Sequence, residues 1–201
     1  MTVEVLVVGL GNPGKQYEHT RHNVGADTIH VLAHRVGVVL KATRDQALAA
    51  DATFATADGT AHRVVLACPT TYMNDSGRAV RLLLKRHGLA PDALVVVHDE
   101  LDLAPGVVRV KAGGGLAGNN GLRSITAHLH TQDYLRVRIG IGKPSSKELG
   151  AEHVLSRLSP RERGLLDVAI QHAADAVEVL LTSGADAAQR TYNATTLDPA
   201  P

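Results

Sequence analysis

The run Val3-Glu-Val-Leu-Val-Val8 restricts the possible folds more than any other segment. Side chains alternate across an extended chain, so an apolar, β-branched run of this kind suits a strand covered on both faces. Leu94 to Val97 makes the same demand. Helical patterns lie between and after these strands. Ala26, Ile29, Ala33 and Val36 recur at three- and four-residue steps and stop at Gly37. Asn74-Asp75-Ser76 forms a capping cluster before Val80, Leu83 and Leu84, and Gly88 closes that helix. Leu122, Ile125 and Leu129 mark a third helix. A fourth opens at Ser159-Pro-Arg-Glu162, with a cap, a Pro in the first position and a Glu in the third, and carries Leu166, Ile170, Ala173, Val177 and Leu180 to Gly184. Further strands are expected near 52–57, 62–68, 107–111 and 135–141. Strands and helices interleave without a linker or repeat. The expected architecture is one α/β domain over residues 1–192, a twisted mixed, largely parallel central sheet flanked by helices, with 193–201 a flexible tail.

Composition excludes several functions. With 21 basic and 20 acidic residues the net charge is +1, so a nucleic-acid partner would require the positive charge to be concentrated in one place. One Phe, four Tyr and no Trp are too few rings for a single-strand binder built on stacking platforms. Cys68 has no partner for an internal disulfide, and no apolar run reaches the length of a membrane span. The chain therefore reads as a cytoplasmic protein without a membrane partner.

Gly9-Leu-Gly-Asn-Pro-Gly14 matches the dinucleotide-binding pattern G-x-G-x-x-G after a strand. That pattern needs a helix to open at once, so that its N–H groups meet the pyrophosphate. Here the polar stretch Lys15 to Asn23 intervenes. His30 and His34 have i, i+4 spacing but lack the Glu of a zinc protease, and they read as imidazoles on a solvated face. Cys68 reads as a small core residue, and there is no G-x-S-x-G elbow for a serine nucleophile.

What remains is a set of polar residues at strand mouths. Asn12 lies in the first turn, His22 and Asn23 end the polar loop, and Tyr72 and Asn74 follow the strand around Val65. His98 and Asp99 end another strand, and Asn119 and Asn120 open a helix after Gly113-Gly-Gly115. Loops leaving one edge of an α/β sheet converge on one crevice, and these residue types suit attack by water. Imidazole titrates near neutrality, so His22 can take a proton from water as it attacks a carbonyl. A carboxylate on the other ring nitrogen would fix the tautomer; Asp99 is the candidate, with Glu100 and Asp102 as stand-ins. Neutral amides can hold a main chain or a developing oxyanion without adding charge.

In Val107-Val-Arg-Val-Lys111, alternation puts Arg109 and Lys111 on one face; in Leu135-Arg-Val-Arg-Ile139 it does the same for Arg136 and Arg138. If these strands are neighbours, cations from both can clamp a phosphate. Two solvated basic stripes would look the same.

Six segments in order, Gly9–Gly14, Thr20-Arg-His-Asn-Val-Gly25, Pro69-Thr-Thr-Tyr-Met-Asn-Asp-Ser-Gly77, His98-Asp-Glu-Leu-Asp102, Gly113 to Leu122 and Arg136-Val-Arg-Ile-Gly-Ile-Gly142, make the chain resemble bacterial-type peptidyl-tRNA hydrolases. The resemblance implies a monomeric single-domain enzyme without cofactor or metal. It would hydrolyse the ester between a peptide and the terminal ribose of tRNA, recycling tRNA from prematurely released peptidyl-tRNA. His22 matches the family's base and Asp99 its orienting acid. Asn12, Asn74 and Asn120 match substrate-binding amides, with Asn12 associated with telling blocked from free aminoacyl groups. Tyr17 and Tyr72 match positions near the acyl group and terminal adenosine, and Lys111 and Arg138 the pair that would clamp the 5′-phosphate. The family often has His where this chain has Asn119, and Leu116-Ala117 stands where small or polar residues are common. Altered substrate positioning or loop mobility is expected there, with Asn119 left out of the site. A non-catalytic RNA-binding role is the alternative; the complete set of His22, Asp99 and three amides argues against it, since a binder has no need of that dyad.

Overall fold

The computed structural model describes residues 4–56, 58–144, 146 and 149–194. Its strands are β1 (Val5–Gly9), β2 (Lys41–Ala42), β3 (Ala47–Ala55), β4 (Ala61–Pro69), β5 (Leu94–Glu100), β6 (Val108–Ala112) and β7 (Leu135–Gly140). Its helices are α1 (Val24–Arg35), α2 (Ser76–His87), α3 (Asn120–Leu129), α4 (Gly150–Leu155), α5 (Pro160–Ser183) and α6 (Ala185–Ala194). The strands form one mixed sheet in the order β2-β3-β4-β1-β5-β7-β6. Parallel pairing is confined to its centre, β4-β1-β5-β7, and the flanking pairs β2-β3, β3-β4 and β6-β7 are antiparallel. No helix among the described residues is long and apolar enough to cross a membrane.

Strand alternation explains the two layers. Leu6 lies between Val65 and Leu94, and these three join the core under α2 and α3. Val7 lies between Leu66 and Val95, and these three join the core under α1 and α5. One register therefore buries both faces of β1, as its unbroken apolar sequence requires.

Helix boundaries follow local chemistry. The Ser159–Glu162 capping box is formed at the start of α5. Gly88, at φ 66°, ends α2 with its N–H turned back to Leu84 and Lys85 carbonyls. The Asn74-Asp75-Ser76 cluster behaves differently from the expectation: no side chain caps α2, and the Ser76 hydroxyl donates to the Met73 carbonyl within the 3-10 turn Met73–Asp75.

Three elements escaped the sequence: β2, α4 and α6. The last carries the chain past the expected boundary at 192. The Asn193 side chain exchanges both hydrogen bonds with the Val110 backbone (2.9 and 2.8 Å), and Arg109 donates to the Tyr192 carbonyl at 2.6 Å. An amide side chain thus pairs with the free edge of β6, as a further strand would. Val3, Ala57 and the expected tail beyond 194 lie outside the described residues.

Candidate active site

Close backbone packing brings His22 to the end of β5. A Cβ on Gly9 would lie 2.2 Å from the Gly25 carbonyl oxygen, and one on Gly25 would lie 2.3 Å from the Val97 oxygen. Glycine at both positions lets the start of α1 lie directly on β1 and β5. This gives Gly9 a packing role in a motif that superficially resembles a nucleotide loop. Immediately before α1, the 3-10 turn Arg21–Asn23 sends three consecutive side chains in three directions. Arg21 donates to the His153 carbonyl (2.9 Å), the Ser156 hydroxyl (2.8 Å) and Glu162, tying the turn to α4 and the start of α5. Asn23 donates to the Asn12 carbonyl and accepts from the Asn12 N–H, both at 2.9 Å. Between them, His22 Nδ1 meets Asp99 Oδ2 at 2.9 Å.

Alternation along β5 selects the acid. Val97 and Asp99 fall on the α1 face, where Asp99 pairs in register with Ile139; His98 and Glu100 point to the other face. Glu100 is buried and accepts from Arg138 Nε at 3.0 Å, while Asp102 pairs with Lys143 at 2.8 Å. Both stand-ins are therefore engaged elsewhere. A carboxylate only accepts, so Nδ1 carries a hydrogen, and in the neutral ring Nε2 keeps its lone pair. Burial alone would lower the His22 pKa; the charge of Asp99 and its hydrogen bond outweigh that, and the net shift is upward from 6.5.

Asp99 has a second partner that sequence reasoning left outside the site. Asn119 Nδ2 donates to Asp99 Oδ1 at 3.1 Å, while its Oδ1 accepts from the N–H groups of Gly121 (2.9 Å) and Leu122 (3.1 Å). One amide thus caps α3 and holds the carboxylate. The Gly-rich loop reaches this point by an unexpected route. Ala112 pairs with Leu135, which pairs with Val95, so the loop leaves β6 at the far end of the sheet. It must climb about 13 Å, four residues of β5, to deliver Asn119. Arg136 holds it on the way, donating to the carbonyls of Gly113, Gly114 (2.7 Å) and Gly115 (2.9 Å). Leu116 packs on the core under α2 and α3.

A cleft of about 220 Å³ opens over the dyad, lined by His22, Asp99, Ala117 to Asn120, Glu100 and Leu101, and walled by Gly150, Ala151 and Val154 of α4. Of the expected substrate amides only Asn120 lines it. Asn12 is tied to Asn23 beside His22, and its Oδ1 accepts from the Met73 N–H at 2.8 Å. Met73 packs against Gly121, which sets the exposed Tyr72 and Asn74 beside the start of α3. Tyr17 meets Tyr72 edge to face, with ring centroids 6.4 Å apart.

The strands carrying the expected phosphate clamp are indeed neighbours: Arg109 pairs with Arg138, and Lys111 with Arg136. Three of these four cations already have protein partners, Arg109 at Tyr192, Arg136 at the Gly-rich loop and Arg138 at Glu100. Lys111 and Arg138 share a face as diagonal neighbours, about 7–8 Å apart at Cα.

The remaining reactive groups are inert or exposed. Burial pushes the Cys68 thiol up to about 12. His30 and His34 lie on an exposed face of α1. Among the described residues no group of three or more His, Cys, Asp or Glu is placed to hold a metal ion.

The chain's relatives share this whole architecture. The family model for peptidyl-tRNA hydrolase matches residues 6–200. Peptidyl-tRNA hydrolase of Mycolicibacterium gilvum is 48% identical over 194 residues, 96% of this chain and 99% of that protein. The enzyme of the same name from Cutibacterium acnes is 46% identical over 199 residues, covering 96% and 100%. The crystal structure of peptidyl-tRNA hydrolase from Acinetobacter baumannii superimposes with a TM-score of 0.84 at 40% identity, covering 96% of this chain and 97% of that one. With the match running through both the sheet and the cleft, the chain belongs to the peptidyl-tRNA hydrolase family.

Proposed function

We propose that this enzyme hydrolyses the ester joining a peptide to the terminal ribose of tRNA, with His22 as general base and Asp99 as its orienting acid. The observation that carries this reading is the 2.9 Å bond from His22 Nδ1 to Asp99, which in the neutral ring puts the proton on Nδ1 and the lone pair on Nε2, with His22 lining the cleft. Water attacks the ester carbonyl as His22 Nε2 takes its proton, and a tetrahedral oxyanion forms. The intermediate collapses by breaking the bond from the carbonyl carbon to the ribose oxygen, and His22 returns the proton to that oxygen. The products are a peptide with a free carboxyl group and tRNA with a free ribose hydroxyl. Asp99 stabilises the imidazolium between the two proton transfers.

The amides supply orientation. Asn12 has its oxygen committed to the Met73 N–H, so Nδ2, a donor, is the group it would offer to substrate. Asn120, which lines the cleft, and Asn74, exposed beside the start of α3, would hold the peptide main chain and the oxyanion. Tyr17 and Tyr72 offer ring surface to the acyl group and terminal adenosine, and Lys111 with Arg138 would take the 5′-phosphate.

An amide-lined site should also discriminate at the α-nitrogen, because a free ammonium would shed water there without a carboxylate to meet it. The wild-type enzyme is expected to release tRNA from N-acetyl-aminoacyl-tRNA at least about 10²-fold faster than from free aminoacyl-tRNA, a difference of about 2.7 kcal/mol in activation free energy. Equal rates on the two substrates would refute the amide-pocket reading. Tight tRNA binding without any cleavage would refute the assigned reaction itself.

A further inference from the structure

α4 forms one wall of the cleft, yet a helix of six residues does not hold itself together in water. Its position is set by what it is fastened to. Val154 is buried in the core under α1 and α5. His153 Nε2 donates to the carbonyls of Ile141 (3.3 Å) and Gly142 (3.1 Å), just after β7. The third fastening is Arg21, the residue before His22.

Arg21 is a buried charge, 8% exposed, that the proton transfers assigned to His22 do not use. Its Nη1 donates to the His153 carbonyl at 2.9 Å and to the Ser156 hydroxyl at 2.8 Å. That carbonyl is among the last four of α4, which lack a backbone partner within a helix. A cation there also meets the negative end of the helix dipole. Nη2 donates to Glu162, whose other carboxylate oxygen accepts from the Ser159 N–H and closes the capping box of α5. One guanidinium therefore joins the turn carrying His22, the end of α4 and the start of α5. Its planar fork suits this task; an ammonium is a compact point charge and cannot serve both arms in the same way.

The face that α4 turns to the cleft consists of Gly150, Ala151 and Val154. It offers no side-chain donor or acceptor, so it suits neither a ribose nor a phosphate, and it does suit an aliphatic side chain. We infer that Arg21 is a positioning residue that sets the α4 wall against His22, and that this wall receives the side chain of the amino acid whose ester is cleaved. The inference rests on the proposed function, which places the ester carbonyl at His22. The side chain branches from the carbon next to that carbonyl, so it stays within the same cleft. A wall displaced by about 1 Å forfeits much of its dispersion contact with a large side chain. Glycine has no side chain to lose such contact.

Arg21→Lys tests this on one tRNA carrying either N-acetyl-leucine or N-acetyl-glycine, so that only the side chain differs. kcat/KM is expected to fall at least about tenfold for the leucyl ester and less than about threefold for the glycyl ester, with most of the leucyl loss in KM. Ser156→Ala removes one bond at α4 and leaves the buried charge paired with Glu162. It should shift the leucyl-to-glycyl ratio the same way by about two- to threefold, which keeps the test sound if Arg21→Lys folds poorly. Glu162→Ala is the control for stability, since it removes the capping box and leaves both bonds from Arg21 to α4. Its melting temperature should fall by about 2–4 °C while the ratio stays within about twofold of wild type. Equal losses on both esters in Arg21→Lys would overturn the inference by placing the effect on His22 or on the fold as a whole. An unchanged ratio in Arg21→Lys and Ser156→Ala would overturn it too, as would a Glu162→Ala ratio shifted as far as that of Arg21→Lys. Wild type that cleaves neither ester would overturn the proposed reaction and this inference with it.

Discussion

His22→Ala is expected to slow release of tRNA from an N-blocked aminoacyl-tRNA by about 10²–10⁴-fold, the usual worth of a positioned general base. The loss should fall on kcat, with KM changed less than about threefold, because the imidazole acts on water and the leaving oxygen and not on the tRNA body. The substitution also strips buried Asp99 of its closest partner, leaving the carboxylate to Asn119. A loss of activity could then reflect disturbed structure. His22→Gln provides the control: it keeps a donor that can reach Asp99 and has no titratable nitrogen. Both variants are expected to lose activity alike, with Gln the better folded of the two by thermal melting. Retention of more than about a tenth of the wild-type kcat in the Gln variant would mean that another group activates the water.

Gly25→Ala is expected to destabilise the fold by about 3 kcal/mol, at the upper end for overpacking, and to lower the melting temperature by about 6–12 °C. The new methyl would lie 2.3 Å from the Val97 oxygen and 2.7 Å from the Leu10 nitrogen, backbone atoms of β5 and of the residue directly after β1. They cannot move aside as the end of a side chain would. α1 must therefore lift, and His22, three residues earlier, must lift with it away from Asp99. The variant should lose kcat as well as stability. Gly37→Ala is the contrast: no atom lies within 4 Å of a Cβ there, so only the cost of its φ of 68° remains, about 1–2 kcal/mol. A Gly25→Ala melting temperature within about 2 °C of wild type would mean that the close approach of α1 to the sheet does not limit stability.

The parts of the molecule legible in the sequence are those governed by short-range periodicity. The doubly apolar runs of β1 and β5 fixed the sheet centre, and Ser159-Pro-Arg-Glu162 marked the start of α5 to the residue. The pairing of His22 with Asp99 was legible because each ends a segment at the same sheet edge. Alternation along β5 explains why Asp99, and neither Glu100 nor Asp102, receives it. The roles of Arg21 and Arg136 were illegible for a physical reason. Arg136 is held by the carbonyls of Gly113 to Gly115, and Arg21 by the His153 carbonyl, the Ser156 hydroxyl and Glu162; all are distant in sequence, and a carbonyl has no residue-type signature. The sequence placed Arg136 in a basic stripe with Arg138, and the face assignment was right while the partner was not phosphate. Asn119 was set aside because the family often has His at that position; its second bond, to Asp99, depends on the long climb of the Gly-rich loop. Asn193 escaped because a polar terminal segment gives no sign that an amide will dock on the edge of β6.

Whether Asp99 tunes His22 as the base is read from the pH dependence of kcat/KM in wild type and Asp99→Asn. The active form carries neutral Nε2, and the folded pKa of His22 lies above 6.5, so activity should be lost as pH falls through a midpoint above that value. Removing the carboxylate charge leaves burial as the dominant influence, and burial disfavours the imidazolium. The acid limb of Asp99→Asn is expected to move to lower pH while its plateau falls by at least about 10²-fold, since the imidazolium formed during turnover loses its counter-charge. An acid limb in the same place in both proteins would mean that the group titrating in catalysis is one that Asp99 does not touch, and that His22 is not the base tuned by it.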